Sequence, residues 1–182
     1  MTSSDLTLLP EGAKSRAAAR IGTSIDAGGD GVDATGVRVA FACAEFNGGI
    51  TDRLLTGALD ALAVAGGDPD TVTVAWAPGA FELPLVARRF ARSGAVDAVV
   101  CLGAVIRGDT GHYDFVAGEC ARGLQQVQLD TGVPVVFGVL TTDTVDQALV
   151  RSGDDETNKG REAAVTAIEM VRLLAAIPGG EV

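Results

Sequence analysis

The chain has 182 residues, of which 47% are hydrophobic and only 4% aromatic, with a formal net charge of -10 and a sequence pI near 4.4. That length suits one domain with a tail, and a surface this acidic argues against nucleic acid or an anionic membrane as a general partner. No apolar run approaches the ~18 residues of a membrane span, and no basic segment followed by an apolar run marks an N-terminal signal.

Residues 1–36 are rich in Gly, Ala, Asp and Ser and lack sustained periodicity. They are expected to form an N-terminal extension, largely flexible, before a domain at 37–177 and a short tail at 178–182. Val37 to Cys43 reads as an apolar strand. Ile50 to Ala65 carries Leu54, Leu55, Ala58, Leu59 and Leu62 at helical spacing, and Gly66-Gly67-Asp68-Pro69 stops that helix. Thr71 to Trp76 is β-branched and strand-like. Phe81 to Arg92 reads as a helix that tolerates Pro84 in its first turn. Val96 to Leu102 is an apolar strand, and His112 or Tyr113 to Asp130 a helix. Val133 to Leu140 is a fourth strand. Thr144 to Arg151 is a short helix with Thr142 or Asp143 as its cap, and Asn158 to Ile177 is a long final helix.

Unbroken apolar strands separated by helices imply a parallel sheet covered on both faces. The predicted fold is a three-layer α/β/α sandwich of the flavodoxin-like kind, with four parallel strands. Cys43, Cys101 and Cys120 are odd in number and lack metal-ligand spacing, which points to reduced, buried thiols in a cytoplasmic protein.

In such a sheet, ligands sit beyond the carboxyl ends of the strands. There the chain places Phe46-Asn47, then Ala80-Phe81-Glu82, then Gly103 to Asp114, then Thr141-Thr142-Asp143. The third segment, G-A-V-I-R-G-D-T-G-H-Y-D, holds His112, the single histidine of the chain. It also offers Arg107, the Thr110 hydroxyl and a run of backbone N–H groups suited to an anion. Aromatic residues beside polar ones suit a flat, polar heterocycle. An anion site beside a side chain that titrates near neutrality suggests elimination or transfer of a phosphorylated group. Each residue also has a plainer reading. Phe46 and Phe81 taken singly read as core, Arg107 as a surface ion-pair partner, His112 as structural, Glu82 and Arg151 as charges complementing helix ends.

Together these residues resemble the 6,7-dimethyl-8-ribityllumazine synthase family, over about Gly36 to Leu174. The marks are Phe46-Asn47, A-W-A-P-G-A-F-E-L-P from Ala75, the histidine segment, G-V-P-V-V-F-G-V-L-T-T from Gly132, Gln147-Ala148 with Arg151, and Asn158-Lys159-Gly160. The resemblance implies condensation of 5-amino-6-(D-ribitylamino)uracil with 3,4-dihydroxy-2-butanone 4-phosphate, with no cofactor or metal. By motif position, Phe46 would stack on the pyrimidine, with Asn47 beside it. Ala80, Phe81 and Glu82 would line the ribityl and ring pocket. Ala104, Val105 and Ile106 would supply backbone contacts. Asp109 and Thr110 would hold phosphate, and His112 would move protons. Phe137 and Arg151 would come from a neighbouring subunit, Arg151 to bind phosphate, with Lys159 assisting. The family is pentameric, in some members assembled to sixty subunits, and a segment at about 18–30 would lend a strand to the neighbour's sheet. Two other functions, a lumazine or flavin binding protein without turnover and dismutation of two lumazines, are argued against by the presence of Thr110 and Arg151 as phosphate ligands together with His112.

Overall fold

A computed structural model describes residues 32–178. Residues 1–31 of the expected extension, with the lent strand, lie outside these residues, and Ala34 near its end is buried in the core. The described chain runs β1 (Val39–Ala44), α1 (Gly48–Val64), β2 (Thr73–Ala77), α2 (Leu83–Ala91), β3 (Ala98–Ile106), α3 (His112–Thr131), β4 (Val135–Thr142), α4 (Val145–Arg151) and α5 (Lys159–Ala176). The four strands form one all-parallel sheet in the order β2-β1-β3-β4. The chain moves outward from β1 to β2, then returns to the other side of β1. That reversal opens a crevice beyond β1 and β3.

Side chains alternate across β1, as a pleated strand requires. Val39, Phe41 and Cys43 enter a core shared with Leu54, Leu55, Ala58 and Leu62 of α1 and Ala164, Ala167 and Ile168 of α5. Ala40, Ala42 and Ala44 face the opposite core, with Leu83 and Ala87 of α2 and Leu124 and Val127 of α3. The predicted three layers are therefore present. All three cysteines are free and buried. Burial pushes the thiols of Cys43 and Cys120 up to about 12, and that of Cys101 well above its ordinary value.

Local differences from the sequence reading have physical causes. β3 continues past Leu102 to Ile106, because Gly103 to Ile106 pair in register with Val139 to Thr142 of β4. β4 begins at Val135 rather than Val133, since Pro134 has no N–H to give the ladder. The cap of α4 is Thr144, not Thr142 or Asp143: its side chain accepts from Gln147 N–H at 3.2 Å. Gln147 returns the contact, its Oε1 accepting from Asp143 N–H at 2.9 Å. The T-V-D-Q sequence has the capping-box spacing, but Gln147 reaches the N–H one residue before the cap. β2 is less covered than expected, with Val74 and Trp76 exposed on an edge strand.

The packing of α1 on α5 depends on one glycine. A Cβ built at Gly160 would fall 1.9 Å from the Leu54 carbonyl oxygen. Backbone, not a movable side chain, is in the way. Gly160→Ala is expected to cost about 2–3 kcal/mol, net of alanine's better helix propensity. Thermal unfolding should show Tm lowered by roughly 5–10 °C, and an unchanged Tm would mean the two helices separate freely.

Candidate active site

The loop after β1 is fixed to the loop after β2. Glu45 N–H donates to Ala77 O at 2.8 Å and Phe46 N–H to Pro78 O at 3.1 Å. Asn47 then adopts the left-handed region at φ 59°, the only non-glycine residue with positive φ among the described residues. Asparagine tolerates this conformation better than most residues. Its side chain does not cap α1; instead Nδ2 donates to Ala104 O at 2.8 Å, tying β1's end to β3 across the crevice.

Above this tie lies a cleft of about 460 Å³. Phe46, Asn47, Ala80, Phe81 and Glu82 line one side. Ala104, Val105, Ile106, Thr110 and His112 line the other. Phe46 is 72% exposed and Phe81 55%, so neither belongs to the core. Two uncovered aromatic residues thus share one cleft with a carboxylate and an imidazole. The Glu82 carboxylate folds back toward Gly79, where an added Cβ would lie 3.2 Å from Oε2. The second glycine-rich turn therefore leaves room for that carboxylate. His112 is the first residue of α3, and its backbone N–H donates to Thr110 Oγ1 at 3.4 Å. The hydroxyl and the imidazole are thereby set on the same turn.

Two candidates from the histidine segment stand apart from this cleft. Arg107 does not line it. Its Nε donates to Asp143 at 3.0 Å, its Nη2 lies 3.5 Å from Asp114, and its guanidinium sits 4.0 Å over the ring of Tyr113. Both carboxylates, the Asp143 hydrogen bond most of all, raise its pKa further. Arg107 fastens β3, β4 and the first turn of α3 together. Asp109 also lies outside the lining, in the exposed turn before α3. Tyr113 and Val116 line the cleft although no role was expected of them. Their spacing from His112, one and four residues on, marks the face of α3 that turns inward.

Phe137, Arg151 and Lys159 gather elsewhere. They line a second hollow of about 410 Å³, bounded by β4, the end of α4 and the start of α5. No residue lines both hollows. Arg151 Nη1 donates to Gln147 O at 3.0 Å, and Lys159 pairs with Glu162. In the acidic turn beyond, Asp155 is taken up by the Thr157 side chain and N–H, which hold its carboxyl below the usual range.

Among the described residues, no group of three or more His, Cys, Asp and Glu is placed to hold a metal ion. No described helix is long and apolar enough to cross a membrane.

The fold is of the doubly wound, parallel-sheet α/β class, with a cleft at the strand ends. Residues 36–175 match the sequence profile described as 6,7-dimethyl-8-ribityllumazine synthase. The chain is 60% identical over 144 residues to proteins of that name from two strains of Thermus thermophilus, covering 79% of this chain and 92% of each relative. The chain belongs to the 6,7-dimethyl-8-ribityllumazine synthase family.

Proposed function

We propose that the protein condenses 5-amino-6-(D-ribitylamino)uracil with 3,4-dihydroxy-2-butanone 4-phosphate, releasing phosphate and forming 6,7-dimethyl-8-ribityllumazine. The observation that carries this reading is the convergence of Phe46, Phe81, Glu82, Thr110 and His112 on one cleft. A pyrimidine fits against Phe46, with backbone groups of Ala104, Val105 and Ile106 for its edge. Ala80, Phe81 and Glu82 suit the ribityl chain, the carboxylate accepting from hydroxyls. Thr110, through its hydroxyl, suits the phosphate from the cleft wall, and Asp109, outside the lining, could add only its main-chain N–H from the same turn.

The amine adds to the ketone carbon, and the ketone oxygen leaves as water, giving an imine. A proton leaves the adjacent carbon as the carbon–oxygen bond to phosphate breaks. The resulting enol takes a proton at its terminal carbon to become a ketone. The ribityl-bearing nitrogen closes on that carbonyl, with loss of a second water. In this reading His112 takes the first carbon proton and returns one to the terminal carbon. No step consumes an oxidant, reductant or cofactor.

The second hollow supports a homo-oligomer, a pentamer or a pentamer-based assembly up to sixty subunits, in which Phe137, Arg151 and Lys159 complete a neighbour's cleft. Exposed apolar side chains on α2 and α3, Leu85, Phe115 and Leu129, favour burial against another copy. The open edge of β2 suits an added strand from the N-terminal extension. Three buried, free thiols fit a cytoplasmic location. Purified protein given both substrates should generate the lumazine absorbance together with one phosphate per turnover. Binding of the pyrimidine without either product would defeat the proposed activity.

A further inference from the structure

Arg151 and Lys159 flank a turn that must hold two cations toward the same hollow. Arg151 ends α4, a helix of seven residues, too short to fix its own terminus. What fixes it lies after it. The carbonyl of Ser152, a fully buried residue, accepts from Arg53 Nε at 2.9 Å. The carbonyl of Gly153 accepts from Asn158 Nδ2 at 2.7 Å. The same Nδ2 donates to Arg53 O on α1 at 3.2 Å. Asn158 Oδ1 accepts from Gly160 N–H at 2.8 Å and Arg161 N–H at 3.2 Å, capping the helix on which Lys159 is first.

Asn158 is 3% exposed, and its carboxamide uses both its donor and its acceptor atoms. α1 makes room for it: a Cβ at Gly57 would fall 2.6 Å from Asn158 Cγ and Oδ1. One amide thus joins α1, the turn after Arg151 and the start of α5. An apolar or acceptor-only side chain could not make these four contacts.

We infer that Asn158 is a positioning residue for phosphate recognition, setting Arg151 and Lys159 relative to each other through Gly153 O and the α5 cap, with Arg53 as its second support. This inference rests on the proposed activity, because it assigns phosphate to that pair of cations.

Asn158→Asp separates the two halves of the role. A carboxylate of the same shape still caps α5 and is favoured at a helix N-terminus. It cannot donate, so Gly153 O and Arg53 O then face an acceptor. With both substrates varied, KM for the butanone phosphate should rise roughly tenfold or more, while KM for the pyrimidine stays within about twofold. Direct calorimetric titration with inorganic phosphate should weaken by a similar factor. That readout needs no turnover, so failure of the activity and failure of the positioning are separate results. Loss of stability alone would move neither KM, or both together. Arg53→Met, at a partly exposed site, removes only the Ser152 contact and should raise the phosphate KM about threefold or more. It decides the matter if Asn158→Asp does not fold. An unchanged phosphate KM and unchanged phosphate affinity in the folded variants would overturn the inference.

Discussion

His112→Ala is expected to lower kcat by roughly 10²–10⁴-fold, the usual contribution of a positioned general acid–base group. His112 is the single histidine of the chain, so no second imidazole can take over. It is exposed at the head of α3, and only its backbone is engaged, with Thr110 Oγ1. Among the described residues no hydrogen bond ties up its ring, which is therefore available to substrate. The fold should tolerate the change, since the side chain supports neither apolar core. Affinity for the pyrimidine should consequently be retained while turnover falls, a loss confined to the transition state. A variant that keeps kcat within about threefold would remove His112 from proton transfer altogether.

Arg151→Ala should raise KM for the phosphate substrate by roughly 10–100-fold, as expected for losing charge-assisted hydrogen bonds to an anion. Arg151 makes one hydrogen bond to its own helix, to Gln147 O, and otherwise borders a hollow that shares no lining residue with the His112 cleft. If the arginine serves the same chain, mixing the two impaired variants, assayed with the phosphate substrate well below its wild-type KM, restores nothing. If it serves a neighbour, subunits carrying Arg151→Ala retain an intact His112 cleft, and subunits carrying His112→Ala retain an intact arginine. Co-refolding them in equal amounts in a closed ring should restore about one quarter of wild-type activity, the chance that an intact cleft meets an intact arginine. Steady-state rates of the refolded mixture, compared with each variant alone, read this directly. Activity no higher than either parent would place Arg151 within its own subunit's site or outside any.

Much of the fold was legible because periodicity reports burial. The alternation of Val39, Phe41 and Cys43 with Ala40, Ala42 and Ala44 across β1 is the same fact as two cores on two faces. Strand ends were less legible. Gly103 and Ala104 look like the start of a turn, but register with β4 keeps them in the sheet. The cleft was readable because strand-end turns in this topology converge whatever their sequence, so Phe46, Glu82 and His112 meet. The partners of long charged side chains were not readable. Arg107 sits two residues from Asp109, yet it reaches Asp143, 36 residues on. Nothing local distinguishes that choice from a phosphate contact. Asn158 escaped for a different reason. Its cap role is local and follows from its place before a helix, but its contacts to Arg53 and Gly153 exist only once α1 and the turn pack together.

If the chain assembles as proposed, its two hollows no longer face separate ligands. A molecule bridging a cleft and a neighbour's hollow binds assembled protein and not free chains, so its binding and the association of chains draw on one shared free energy. A ligand present at about 100 times its Kd would add roughly 2.7 kcal/mol to each such contact. Substrate would then act as a cohesive agent, and turnover would become a period in which that cohesion lapses and returns. The enzyme's specific activity would carry a memory of its own dilution: chains kept below their association threshold would work more slowly than their number predicts, and would recover as substrate draws them together.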